Sequence, residues 1–302
     1  MTEEQRIKNL SVPTGKIDVI LDTDPCNEID DQFAIAYLLK NKERLNTKAF
    51  YAAPFSNGSS IGPEDGMEKS YNEILKLLKM MNEEISVFKG SRTYLKDEKT
   101  PVLSPAVSDL VERARQYSPE HPLYVVAIGA ITNIASAILI DPSIIENIVV
   151  VWLGGHALHY HDTKEFNMSQ DVAAARVVMG SGVPFVQLPC EGVVSEFRLS
   201  KPELEYWLKG KNELAEYLAT NTIDHAESYA KGIPWTRVIW DVTAVAWLLN
   251  DDSQFMDWRI IPTPMPTYDG SYGVNDKGAH MVYVYHIRRD WLMNDVLKKL
   301  AN

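Results

Sequence analysis

The chain has 302 residues, with 30 Lys and Arg against 41 Asp and Glu, a net charge of −11. That length can bury a large core, and an apolar share of 45% is ordinary for a globular chain. The acidic balance excludes a protein built to hold nucleic acid or an anionic membrane surface, since both need a basic field, and it leaves room for a cation held by carboxylates.

Residues 16–21 (KIDVIL) predict a β-branched strand, 30–40 a helix, 47–53 a second strand and 68–81 an amphipathic helix with Ile74, Leu75, Leu78 and Met81 at helical spacing. A short strand at 84–88, a helix at 107–116, a strand at 123–128 and a helix beginning at 132–139 follow. Residues 148–153 predict a strand, 171–179 a helix and 183–188 a strand. The apolar stretch 144–154 is too short for a bilayer, and no segment reaches the roughly 18 uninterrupted apolar residues of a membrane span. Residues 201–230 read as polar helix, an excursion over the site, and 242–250 as apolar helix. Strands with turns at Asp269-Gly270 and Lys277-Gly278 are expected over 259–290.

No repeat, low-complexity tract or linker interrupts this order, so one domain over 1–302 is expected. Continuous apolar strands alternating with helices predict an α/β fold: an open, mainly parallel, twisted sheet with helices on both faces. Ligands of such folds sit beyond the C-terminal strand ends. Cys26 and Cys190 are too few for a disulfide framework and read as reduced thiols. The N-terminal stretch lacks the apolar core of a signal peptide. A cytoplasmic protein is expected.

The chemistry concentrates at the end of the first strand. Asp22-Thr23-Asp24-Pro25 follows it, and Asp30-Asp31 open the next helix. Four carboxylates this close repel one another unless a positive charge sits among them. A divalent cation of the calcium or magnesium type suits an oxygen-only ligand set. Helix N-termini also favour Asp, which accounts for Asp30 and Asp31 but not for Asp22 and Asp24.

The segment DTDPCNEIDDQFAI resembles the DTDPGxDDAxAI opening of the inosine–uridine-type nucleoside hydrolase family. Here the loop is two residues longer between Asp24 and Asp30, and Cys26 stands where the family has Gly. Further segments agree in order: AIGAITNIA at 127–135 with the family's LGPLTNIA, Gly154-Gly155 with its MGG, and Glu165-Phe166-Asn167 followed by Asp171 with EFNxxxDPEAA. Trp240-Asp241-Val242 followed by Ala244-Val245-Ala246 is similar to its HDPLAVA. The resemblance covers about 16–290.

The resemblance implies a nucleoside-hydrolase, Rossmann-like fold and hydrolysis of the N-glycosidic bond of ribonucleosides by a calcium-bound water. It implies calcium ligands in Asp24, Asp31, the Thr132 carbonyl and Asp241, with Asp22 behind them, and Asp24 as general base. Asp30, Asn57, Glu165, Asn167 and Asp241 would hold the ribose hydroxyls of a small-molecule nucleoside. A homo-oligomer, dimer or tetramer, is implied by the same likeness.

Two departures shape the expectation. The family often places His before the last metal Asp, as acid to the leaving base; here that residue is Trp240. An indole does not act as such an acid but stacks on a purine face, or else packs in the core. It resembles the family's purine-preferring branch, and Trp240 is expected to act there. Secondly, His156, His159 and His161 occupy the loop after Gly154-Gly155, where the family offers Asn to the ribose; His159 or His161 could replace it, as substrate contact or leaving-group acid, with His159 taken as the contact and an ordinary loop role or zinc binding as alternatives. Tyr229, Trp235 and Arg237 are candidates for a nucleobase pocket. Two other readings stay open: a ribosyl-ligand binder impaired in turnover, and a haloacid-dehalogenase-like magnesium phosphohydrolase, which the Asp22-Thr23-Asp24 pattern also resembles.

Overall fold

Strand β1 (Ile17–Thr23) lies inside the sheet, with β2 (Leu45–Ala52) and β3 (Val87–Lys89) stepping outward on one side of it. The chain then crosses back, and β4 (Leu123–Ala127), β5 (Ile148–Leu153) and β6 (Phe185–Leu188) extend the sheet on the other side. The computed structural model describes residues 1–276 and 278–302. After β6 come β7 (Arg198–Ser200) and β8 (Thr236–Val238), which pair antiparallel as a separate ribbon. β9 (Met256–Pro262) forms the far edge of the main sheet, β10 (Met265–Pro266) and β11 (Tyr272–Gly273) form a second ribbon, and β12 (His280–Ile287) completes the sheet. The order is β3-β2-β1-β4-β5-β6-β12-β9, parallel throughout except for β9 on β12.

This is the expected mainly parallel α/β sheet. β4 (LYVVA) and β5 (IVVVWL) are buried along their whole length, as strands covered on both faces must be. Apolar layers lie on each side. One holds Phe33, Phe50 and Trp247; the other holds Tyr51, Trp152 and Phe185. Each such side chain contributes roughly 1.5–3 kcal/mol by leaving water.

Most expected elements stand within a few residues of their places. The helix expected from 68 begins earlier, as Pro63–Met80, because proline is tolerated in a first turn where its missing N–H has no partner to lose. Residues 201–230 form two helices, Lys201–Trp207 and Glu213–Ala230. The helices Glu3–Asn9, Phe166–Gln170 and Arg289–Ala301 were not expected. The last had a legible signal: Leu292, Met293, Val296, Leu297 and Leu300 are its buried face. Of the two turns expected late in the chain, Asp269-Gly270 leads into β11, and Lys277 lies outside the described residues.

The strand order reverses between β1 and β4. Crevices at such reversals are where α/β sheets bind ligands.

Candidate active site

Asp22 and Thr23 are the last residues of β1, and Asp24 follows immediately. The Ile128 N–H donates to the Asp22 carbonyl at 2.9 Å and the Ala53 N–H to the Thr23 carbonyl at 2.9 Å, so the neighbouring strand ends fix this corner. Asp31 opens the helix Asp31–Leu39 and turns its carboxylate back onto the strand end. It accepts the Asp24 N–H at 3.0 Å and the Thr23 hydroxyl. Asp30 precedes that helix without making a side-chain cap. Its carboxylate instead meets the Asp241 N–H at 3.4 Å, across 211 residues of sequence. Helix capping therefore does not account for Asp30.

Asp22 accepts the Asn133 amide at 2.7 Å, and Asn133 is held in turn by the N–H and hydroxyl of Ser91. Thr132 begins the helix Thr132–Ile140, with its hydroxyl donated to Asp171 at 2.7 Å. Glu165 receives three backbone N–H groups, from Gly155, Asn167 and Met168, at 2.7 to 2.9 Å. Gly155 can turn its N–H this way because it sits at φ +73°, a conformation that glycine enters without a Cβ penalty. Burial, then the nearby Glu165 carboxylate, holds the Cys190 thiol well above its usual range. Asn167 donates to the carbonyls of Ile128 and Leu153, at the ends of β4 and β5.

Asp30, Asp31 and Asp241 bring oxygens within 4.8 Å of one another, and all three are buried. Both Asp24 oxygens are buried without a hydrogen-bond partner. Two like charges about 4 Å apart repel by roughly 4 kcal/mol at an effective dielectric of about 20. Three or four ionised carboxylates would consume most of a typical domain's stability. The group must hold protons or a cation. Without a cation, burial drives the Asp22 carboxyl up to about 7 and the Asp31 carboxyl up to about 6. Burial, then the surrounding carboxylates, holds Asp24, Asp30 and Asp241 well above the usual range. The Asp31 and Asp241 carboxylates belong to the same buried group, so their negative charges oppose one another. The donor set is oxygen only and built of carboxylates, with both Asp24 oxygens unpartnered, which fits a hard divalent cation.

A cavity of about 200 Å³ opens beside this cluster. Asp30, Glu165, Asn167, Asp241 and the half-buried Trp240 line it, so five expected residues converge there. Asp24, Asp31 and Thr132 are buried and lie outside that lining. Asn57 does not reach the lining; its amide is spent on Asn27. Among the three loop histidines it is His156 that lines the cavity, while His159 is exposed and lies near Gly192. The His156 Nδ1 accepts the Glu191 N–H at 3.2 Å, leaving the proton of the neutral ring on Nε2. Burial lowers its pKa, favouring that neutral form.

Sequence reasoning passed over Cys190, Lys164 and Glu191 in this lining. None lies in a motif, and only the folded loop after β6 brings Cys190 to Glu165. Glu28 also lines the cavity and pairs with Arg237 at 2.6 Å. Arg237 donates in addition to the Tyr229 hydroxyl at 3.0 Å.

Comparison with known proteins bears on this site. The sequence model described as inosine-uridine preferring nucleoside hydrolase matches residues 19–285. The non-specific ribonucleoside hydrolase RihC of Salmonella typhi is 27% identical over 268 residues, covering 79% of this chain and 80% of the relative. Among solved structures, a plant nucleoside hydrolase superimposes with a TM-score of 0.75 at 18% identity, over 96% of this chain and 99% of that one. The purine-preferring ribonucleoside hydrolase from Gardnerella vaginalis gives 0.75 at 19% identity, over 94% and 98%. These two likenesses establish the fold. Among the described residues, no helix is long and apolar enough to cross a membrane.

Proposed function

The chain belongs to the inosine–uridine preferring nucleoside hydrolase family, whose members are glycosidases acting on N-glycosyl bonds, and on that premise we propose that it hydrolyses ribonucleosides, purine nucleosides above all, to ribose and free base with the help of calcium. The observation that carries this reading is the buried Asp24 carboxylate, both oxygens unpartnered, beside a cavity walled by Asp30, Glu165, Asn167 and Asp241.

Asp24, Asp31, Asp241 and the Thr132 carbonyl would hold the cation. Bound there, it supplies the positive charge that offsets these carboxylates and acidifies a water near neutral pH. Asp24 takes the proton of the attacking water as general base. Its neighbours set its main chain: the Asp24 N–H is tied to the Asp31 carboxylate, while both Asp24 side-chain oxygens are unpartnered. Asp30, Glu165, Asn167 and Asp241 grip ribose hydroxyls and fix the sugar. As the base departs, the sugar carbon gains positive charge in an oxocarbenium-like state, which the surrounding carboxylates favour.

The leaving base needs a separate account, because Trp240 replaces the acid found in relatives. Trp240 lines the cavity half-buried, and an indole there can stack on a bicyclic purine. Among the donors in the lining, the His156 Nε2–H is the one we assign to meet a base nitrogen as negative charge develops there. A stacking face rewards the larger ring, which supports purine preference over uridine.

The reading is tested by mixing purified protein and calcium with inosine, adenosine, guanosine and uridine and measuring free base. Release from the purine nucleosides, faster than from uridine, is expected. Release from uridine alone would overturn the purine assignment.

A further inference from the structure

The loop between Asp24 and Asp30 is where this chain is longer than its relatives' motif, and the structure shows what the added length does. Asn27 and Glu28 both stand in the cavity wall. Asn57 stands behind Asn27 and uses its amide there, donating to the Asn27 side-chain oxygen at 2.7 Å and to the Asn27 carbonyl at 3.2 Å. The Asn57 side-chain oxygen is occupied too, by the Ser59 N–H at 2.8 Å. Asn57 therefore has no amide N–H left to offer a ligand.

Asn27 is the reverse case. Its side-chain oxygen is committed to Asn57, and its backbone N–H closes a turn onto the Asp24 carbonyl at 2.8 Å. With the oxygen fixed, the amide NH₂ is the end left over, and it makes no hydrogen bond among the described residues. The facing walls, Asp30, Glu165 and Asp241, only accept when ionised. A sugar hydroxyl that gives its hydrogen to one of those carboxylates keeps lone pairs that need a donor. The loop is braced on its other side by the Glu28–Arg237 pair, so Asn27 is held between two anchors.

Resting on the reading given above, we propose that Asn27 is the substrate-gripping donor of the lengthened loop, and that Asn57 is a positioning residue acting through it. One ribose hydroxyl oxygen accepts from the Asn27 amide while donating to a wall carboxylate.

The test is a double-mutant cycle with Asn27→Ala, Asn57→Ala and the double variant, on the full calcium-loaded chain. KM and kcat for inosine release are measured, together with inosine binding by calorimetry and thermal melting of each variant. Asn27→Ala is expected to weaken inosine binding and raise KM about tenfold, with kcat changed much less. Asn57→Ala should weaken binding by less, and the double variant should match Asn27→Ala alone, because both changes remove one contact. Among 2′-, 3′- and 5′-deoxyinosine, one analogue should bind wild type and Asn27→Ala within twofold of each other. A loop that merely collapsed would bind every analogue worse. Losses that multiply in the double variant, or Asn27→Ala binding inosine like wild type, would overturn the proposal. Calorimetry reads the contact even if no base is released, so failure of the hydrolytic reading is told apart from failure of this one.

Discussion

The Asp31 carboxylate accepts the backbone N–H of Asp24 at 3.0 Å, so the residue that opens the helix Asp31–Leu39 also sets the residue that follows β1. The pair joins strand and helix at the reversal of the sheet and leaves the Asp24 side chain free, with neither oxygen bonded. If Asp24 is the general base, Asp24→Asn should lower kcat by about 10²–10⁴ while far-ultraviolet circular dichroism stays unchanged, because removing a general base costs about that much. Wild-type turnover in the purified variant would refute the role.

Cation binding should be visible without turnover. A ligand bound only by the folded state at a hundred times its dissociation constant stabilises by about 2.7 kcal/mol, a rise of several degrees in melting temperature for a chain of this size. Calcium should therefore raise the melting temperature of chelator-treated protein, and Asp241→Ala should remove most of the rise. Equal melting with and without calcium would count against the site.

Trp240→Ala should lower kcat/KM for inosine and guanosine by tenfold or more and for uridine by much less, at unchanged melting temperature. Trp240→Phe should recover part of the purine loss. A parallel fall in stability and in all substrates would mean that the indole only packs.

Two of the three loop histidines separate by position. His156→Ala removes that donor from the cavity lining and should lower kcat by about ten- to a hundredfold, whereas the exposed His159→Ala should stay within about twofold. The reverse order would return the role to His159 and show that the loop rearranges on binding.

Much of this was legible in the chain because it is local. Residues 148–153 announce a strand by six consecutive apolar side chains, and they form β5 over those residues. The carboxylate-rich corner was legible from density alone, since Asp22, Asp24, Asp30 and Asp31 lie within ten positions. What stayed hidden depends on partners distant in sequence. Glu28 is held by Arg237, 209 residues away, and Asn57 is turned from the cavity by Asn27, 30 residues away. No spacing rule encodes which of two asparagines faces a cavity. The nearness of Cys190 to Glu165 is likewise invisible until the β6 loop folds over the site. His156 and His159 differ only in which way a short loop turns after Gly155.

The most direct measurement is release of hypoxanthine from inosine by the purified chain, first with calcium, then with excess chelator, then with calcium restored. The account requires release that stops with the chelator and returns with calcium. Inosine, adenosine, guanosine and uridine all left intact with calcium in excess, or release that ignores the chelator, would contradict it.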